Sequence, residues 1–296
     1  MKLLLGICLF LVGVAASTHT LPRESGPMLS CLENSHDQAY HIENLLVEPT
    51  ALLDGLSFPD VPVLYLDNST TSYFSPQLME KVQNSTESLF ILDGIVAKVY
   101  LKPTLKALTV LRAVTSEVLI DPVDNHRLEI LDIEGRLKSI PDNIRHLKKL
   151  VTLDLCQNQI TSWNLNDLEG LDHLRKLNLG HNQIGSIIST KEVHLPALKE
   201  LFLHGNRITT LDLTHLKADR LERLYLSHNW LTIVKGLLER YSQLRRVDLH
   251  GNDWKCVWLR RALDVLEKAG VESLNYLPIG VCDERGSVKV DSISCD

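Results

Sequence analysis

Three segments decide the fold of this chain: LRKLNLGHNQI at 174–184, LKELFLHGNRI at 198–208 and LERLYLSHNWL at 221–231. Each keeps the frame L-x-x-L-x-L-x-x-N, while the residues between the fixed positions change. Six units of this kind begin at leucines separated by 22, 24, 24, 23 and 23 residues, namely Leu128, Leu150, Leu174, Leu198, Leu221 and Leu244. A fixed period in this range is typical of a solenoid built from stacked repeats.

The L-x-L centre of each unit predicts a short strand whose leucines all point to one side. Parallel stacking of such strands buries the leucines in a continuous core that no repeat could form alone. The amide of the asparagine is able to bond backbone groups that the turn leaves unpaired; the asparagines are Asn158, Asn182, Asn206, Asn229 and Asn252. The first unit departs from the frame, with Arg136 at this position. The pattern is that of the leucine-rich repeat, an α/β solenoid with a curved parallel sheet on its concave side and short helices and turns on its convex side.

The repeat signal continues upstream in a weaker form. Segments with similar alternation begin at Val61, Ser88 and Leu105, and we expect them to extend the same sheet; a separate N-terminal domain is the alternative. After the last repeat, apolar residues at helical spacing predict an amphipathic helix that caps the sheet. The predicted organisation is a signal peptide (1–16), an N-terminal flank (17–60), degenerate repeats (61–127), regular repeats (128–252) and a cysteine-containing cap (253–296).

The first residues predict export of the chain. A lysine at position 2 precedes an apolar run at 3–14 and small residues up to Ala16, which is the pattern of a cleaved signal peptide; an uncleaved anchor is the alternative. This run is too short to span a bilayer, and no other apolar stretch is long enough for a span. We therefore expect a secreted, extracellular protein in which the NST sequons at Asn68 and Asn84 accept N-linked glycans.

Composition and motifs argue against several classes of function. The formal net charge is −6 and the isoelectric point about 6.1, so there is no basic footprint for nucleic acid or for an anionic membrane. The sequence holds no G-x-S-x-G, no H-E-x-x-H and no glycine-rich phosphate loop, so we expect neither an enzyme nor a cofactor. No metal site is expected, because His204 and His250 stand two repeats, roughly 10 Å, apart, whereas zinc holds its ligands at about 2 Å.

The cysteine count is odd once the signal peptide is removed. Five cysteines remain, which in an oxidising compartment leaves at least one thiol free or bonded to another chain. Cys31 precedes the repeats and Cys295 follows them, so with about eight to ten strands they stand on the order of 40 Å apart. A disulfide tolerates a Cα separation of only about 7 Å. We hypothesise that Cys31 or Cys295 joins a partner chain; the alternative is that the spare thiols, Cys156 among them, are buried or capped.

Each strand exposes variable positions that could contact a partner. The later strands present two neighbouring aromatic residues, Phe202 and Tyr225, among histidines and arginines. Exposed aromatics beside arginine are typical of binding hot spots, although aromatic pairing for strand stability is the alternative. We therefore predict a partner-binding concave face that consists of Lys176, Asn178, Phe202, His204, Arg223, Tyr225, Arg246 and His250.

The last repeat runs into HGNDWKCVWL at 250–259, and further cysteines follow the predicted cap helix. With its degenerate and then regular repeats, the chain resembles the coil-less, secreted members of the mosquito leucine-rich immune protein family. The resemblance implies a non-enzymatic recognition protein of haemolymph whose partner is a complement-like thioester protein, another leucine-rich repeat chain or a microbial surface. It also implies a disulfide between Cys256 and Cys282, with Trp258 at the position of the family's second cap cysteine. An extracellular matrix or adhesion protein, or an enzyme inhibitor, is the alternative.

Overall fold

The computed structural model describes residues 33–34, 39–47, 53 and 56–274 of the chain. The expected signal peptide and the cysteines Cys31, Cys282 and Cys295 lie outside these residues. Within the part of the chain that is described, no helix is long and apolar enough to cross a membrane.

One sheet of twelve strands runs through the described chain. Its first strand, Glu33–Asn34, pairs in the antiparallel direction with Ala39–Glu43, and the remaining strands are parallel and follow the order of the sequence. These parallel strands are Ala39–Glu43, Val63–Asp67, Ser88–Leu92, Ala107–Leu111, Ile130–Ile133, Thr152–Asp154, Lys176–Asn178, Glu200–Phe202, Arg223–Tyr225, Arg246–Asp248 and Glu272–Leu274. The expectation that the upstream segments and the regular repeats form one continuous solenoid is therefore confirmed.

Two of the parallel strands were not expected from the sequence. Ala39–Glu43 lies in the predicted N-terminal flank, and Glu272–Leu274 follows the cap helix. In the first of them Tyr40 and Ile42 occupy the register positions that leucines hold in the next strand. The frame leucines are absent there, so the repeat pattern could not reveal this strand, and the sheet has twelve strands instead of the eight to ten expected.

The core is a ladder of aliphatic side chains beneath the sheet. Leu177, Leu201 and Leu224 stand side by side in register and are fully buried. The third leucine of the frame, two residues further along, is also fully buried, as Leu179 and Leu203 illustrate. Burial of one leucine contributes about 1.5–3 kcal/mol to the free energy of unfolding. Because the leucines are buried against the adjacent repeats, each repeat is stabilised mainly through its two neighbours.

The convex side consists mostly of turns and short parallel strand pairs, with few helices. The pairs join Lys98–Tyr100 to Glu117–Leu119, Ser162–Asn164 to Ser186–Ile188, Val193–His194 to Leu216–Lys217, and Leu211–Asp212 to Val234–Lys235, and a three-stranded ribbon holds Leu46–Val47, Thr70–Thr71 and Ile95–Val96. Short helices occur at Pro76–Glu80, Ile144–His146, Leu165–Leu168 and Leu237–Arg240. Repeats of 22 to 24 residues leave a return segment that is too short for longer helices.

A longer helix, Cys256–Lys268, covers the C-terminal end of the core, as the sequence predicts. It buries Leu259, Ala262 and Leu266, while Val257 on its outer side is 86% exposed. Cys256 is disulfide-bonded and does not pair with Cys156, which is free. The expected pairing with Cys282 stays a prediction because that residue lies outside the described part of the chain.

Candidate partner-binding face

The asparagines of the frame hold adjacent repeats together along one edge of the sheet. The Asn206 amide donates to the carbonyl oxygens of Leu179 (2.9 Å) and Leu203 (3.0 Å), and its Oδ1 accepts from the backbone N–H of Ile184 at 2.9 Å. Equivalent bonds are made by Asn158, Asn182, Asn229 and Asn252. The predicted turn role is confirmed, and the bonds also reach into the preceding repeat, which the sequence did not indicate.

The strand register aligns the residues between the inward leucines of successive strands in one column. Phe202 pairs with Asn178 on one side and with Tyr225 on the other. The central column, from the N-terminal end, is His41, Tyr65, Phe90, Thr109, Asp132, Asp154, Asn178, Phe202, Tyr225, Asp248 and Leu274.

Phe202 and Tyr225 point away from the core and lie flat against each other. Their ring centroids are 4.6 Å apart with an interplanar angle of 6°, and both side chains are half-buried. The ammonium group of Lys176 stands 5.7 Å from the Phe202 ring centroid. We call Phe202 and Tyr225 the C-terminal aromatic pair.

The basic residues around this pair are engaged in ion pairs. Lys176 Nζ lies 2.8 Å from Asp154 Oδ2, Arg223 is bonded to Glu200, and Arg246 lies 3.7 Å from Glu272. Asn178 also donates to Asp154 Oδ2, at 3.0 Å. The sequence alone indicates a ring of arginines around the aromatic pair, yet each arginine faces a carboxylate on the neighbouring strand, so the local charge is nearly balanced.

The middle of the face is acidic. Burial, and then the neighbouring carboxylate of Asp154, raises the pKa of Asp132 to about 6. The free thiol of Cys156 lies on the same face, and burial followed by Asp154 raises its pKa to about 11. This thiol is therefore protonated at neutral pH, which makes it a poor nucleophile.

Four histidines line the turn edge of the face as two interlocked pairs. The sequence reads Gly-His, His-Gly, Ser-His and His-Gly at 180–181, 204–205, 227–228 and 250–251 in successive repeats. A Cβ on Gly180 would stand 2.4 Å from the His204 ring, and one on Gly205, whose φ is +65°, would stand 2.7 Å from the His181 ring. The alternation therefore places the rings of His181, His204 and His228 beside a glycine, and it is the signal that sequence reasoning missed.

The two histidine pairs differ in their contacts. His181 and His204 meet edge to face with centroids 4.7 Å apart. His228 and His250 are 4.5 Å apart and also bring their Nε2 atoms to 2.9 Å, while Nδ1 of His250 bonds the Asp248 carboxylate. Burial lowers the pKa of His204 and His228, helped by the adjacent histidine in each case. Within the described residues there is no cluster of three or more ligating side chains suited to a metal ion.

A second set of aromatic rings lies near the N-terminal end of the same column, where none was predicted. Tyr65 stacks on His41 (4.1 Å, 3°) and on Phe90 (4.6 Å, 14°), and His41 Nδ1 lies 2.9 Å from Asp67 Oδ2. We call His41, Tyr65 and Phe90 the N-terminal aromatic stack. The sequence signal for this stack is the aromatic residue at the centre of VLYLD and of SLFIL. The strand that carries His41 has no repeat frame, so the sequence did not place His41 beside them.

Both predicted sequons are on the surface. Asn68 is exposed in a turn with φ of 48°, and its amide donates to Asn44 Oδ1 at 2.7 Å. Asn84 is exposed as well. Their glycosylation stays a prediction.

Two sequence profiles match the middle of the chain. One described as leucine rich repeat covers residues 126–184, and one described as leucine rich repeats (2 copies) covers residues 172–217. Leucine-rich repeat-containing protein 36 of Mus musculus is 34% identical over 119 residues, which are 39% of this chain and 15% of that protein. This chain spans less than half the length of the curated relatives it matches.

Solved structures are similar over a larger part of the chain. A chain of the LRIM1/APL1C complex superposes with a TM-score of 0.60 at 20% identity, covering 73% of this chain and 39% of that one. A chain of the TLR13–ssRNA13 complex gives a TM-score of 0.51 at 28% identity, covering 66% of this chain and 29% of that one. Together with the twelve-stranded sheet and the two profiles, these likenesses show that the fold is a leucine-rich repeat solenoid.

Proposed function

We propose that this chain is a secreted, non-enzymatic recognition protein of humoral innate immunity that binds a protein or a microbial surface through its concave face. The observation that carries the proposal is the C-terminal aromatic pair. Its rings are stacked 4.6 Å apart and stay half-exposed above a core that is already closed by leucines. Large, rigid aromatic side chains in such a position give contact area at little cost in conformational entropy.

The surroundings of the pair favour a protein partner. Lys176, Arg223 and Arg246 each have a carboxylate partner, so the face presents directional donors and acceptors with little net charge. A polar rim around an aromatic centre is the usual anatomy of a protein interface. We propose a complement-like thioester protein or another leucine-rich repeat chain as the partner.

The proposal of secretion and immunity rests on the sequence. It is supported by the signal-peptide pattern, the two sequons and the resemblance of the cap phrase to mosquito leucine-rich immune proteins. The likeness to a chain of the LRIM1/APL1C complex, at 20% identity, supports the fold alone. In that structure LRIM1 and APL1C form one complex. We propose that this chain likewise associates with a second protein chain.

The test is capture from body fluid by the immobilised protein. Replacing Phe202 and Tyr225 with alanine is expected to reduce capture of the main partner at least about 30-fold, because loss of a hot-spot residue costs about 2 kcal/mol or more. The measurement is quantitative mass spectrometry of the captured proteins, with circular dichroism to verify the fold.

The matched control is the Tyr65→Ala, Phe90→Ala variant, which removes a stacked pair of similar size from the other end of the column. It is expected to retain most of the capture, because the proposed partner contact is made by the C-terminal aromatic pair and not by the N-terminal aromatic stack. Equal capture by the wild type and by the Phe202→Ala, Tyr225→Ala variant would refute the proposed role of the C-terminal aromatic pair.

A further inference from the structure

His228 and His250 approach each other more closely than two imidazoles that merely pack. Their Nε2 atoms are 2.9 Å apart, and Asp248 holds the other nitrogen of His250. We propose that this pair, on the turn edge of the concave face, binds a divalent transition-metal ion of the copper or nickel type.

The distance between the two nitrogens fits a specific coordination geometry. Imidazole nitrogens bind such ions at about 2.0–2.1 Å, so two of them at a right angle stand about 2.9 Å apart, and at a tetrahedral angle about 3.3 Å. The 2.9 Å between Nε2 of His228 and Nε2 of His250 is the length of the hydrogen bond that joins them, and it also equals the spacing that the right angle requires. Right-angled nitrogen ligands are typical of Cu²⁺ and Ni²⁺, whereas Zn²⁺ favours the wider tetrahedral angle.

The carboxylate of Asp248 prepares His250 as a ligand. It is buried and bonded to Nδ1 of His250, so the ring carries its proton there and presents the lone pair of Nε2. Carboxylate-oriented histidines of this kind are common in metal sites. In the metal-free pair the Nε2–H of His228 donates to His250; on binding, this proton moves to Nδ1 of the same ring, and both Nε2 lone pairs then face the ion.

The adjacent pair of histidines lacks these features. Both pairs meet edge to face, at 4.7 Å for His181 and His204, but no bond joins the ring nitrogens of His181 and His204, and the Nδ1 of His204 has no hydrogen-bond partner among the described residues. Two imidazoles occupy only part of a metal's coordination shell, so water or a side chain of a binding partner would complete it. The His181–His204 pair is therefore a matched internal control.

The experiment is calorimetric titration of Ni²⁺ into the purified full chain at neutral pH. We expect one ion per chain at this pair, at least tenfold weaker binding at this site in His228→Gln or His250→Gln, and no more than a twofold change in His181→Gln. Asp248→Asn keeps both ligands and is expected to weaken binding about 10- to 100-fold, as for other residues that orient ligands. Thermal unfolding without metal verifies that each variant is folded.

Two outcomes would overturn the site. One is Ni²⁺ binding that His228→Gln leaves unchanged, and the other is an equal loss in His181→Gln. If a glutamine variant fails to fold, paramagnetic resonance of Cu²⁺ bound to the wild-type chain decides instead. Two equatorial imidazole nitrogens are expected in that spectrum, and one or none excludes the pair as a ligand set.

Discussion

Asn206 illustrates how much one side chain contributes to this fold. It is 6% exposed, and its single amide satisfies backbone groups of two successive repeats. Five asparagines repeat this arrangement. The turn edge is therefore held by side chains that occupy one regular position of the repeat in the sequence.

Replacing Asn206 with alanine is expected to lower the free energy of unfolding by about 2–4 kcal/mol. The N–H of Ile184 would lose its bonded partner, which costs about 1–3 kcal/mol for a buried group. The carbonyl of Leu179 would keep only the bond from Asn182, and each hydrogen bond lost in this way costs about 0.5–1.5 kcal/mol. Urea unfolding measures the change. Asn166→Ala, which removes only side-chain bonds to the hydroxyls of Thr190 and Ser189, is the control and should change stability by less than about 0.5 kcal/mol; equal effects would contradict the buried role.

The contribution of Asp132 to stability is predicted to depend on pH. Its pKa is raised to about 6 by burial and by Asp154. The folded chain therefore binds this proton more tightly than the unfolded chain, so stability falls as pH rises from about 4 to 6. Asp132→Asn should stabilise the protein by on the order of 1 kcal/mol at pH 7.5, after allowance for partial exposure, and should give no gain at pH 4.

Thermal unfolding of the two proteins at both pH values measures this difference. Asp172→Asn is the control, because this side chain is exposed, and it should change stability little at either pH. A stabilisation by Asp132→Asn that is equal at pH 4 and pH 7.5 would rule out the electrostatic explanation.

At the scale of the element, the cap helix and the first parallel strand show what a sequence pattern can reveal. The helix Cys256–Lys268 was predicted because its apolar residues recur at helical spacing and end up on one face. The strand Ala39–Glu43 was missed because Tyr40 and Ile42 replace the leucines, and only the register with the next strand identifies their role.

The cap helix also carries a prediction of its own. Leu259→Ala is expected to lower the free energy of unfolding by about 2–5 kcal/mol, because it leaves a cavity at the end of the core. Val257→Ala, on the exposed side two residues earlier, should cost less than about 0.5 kcal/mol. Chemical denaturation of both variants measures the contrast, and similar values would mean that the helix does not close the core.

At the scale of the whole molecule, the six regular repeats predicted the solenoid, its order and the outward columns. A frame that fixes every second side chain also fixes which residues face outward. Side-chain contacts between neighbouring strands were not predictable, because they depend on the rotamers that the side chains adopt. The ion pairs of Arg223 and Arg246, the interlocked histidines and the stack on Tyr65 all belong to this class.

The C-terminal aromatic pair and the N-terminal aromatic stack lie on one column of the sheet, so the distance between them is fixed. Five strand steps separate Phe90 from Phe202, which at a spacing of about 4.8 Å is roughly 24 Å along the sheet. A ligand that contacts both aromatic groups at that separation binds with higher affinity, since the second contact forms at a high effective concentration. A shorter ligand reaches one group only, so the stiffness of the stacked strands selects by length as well as by chemistry.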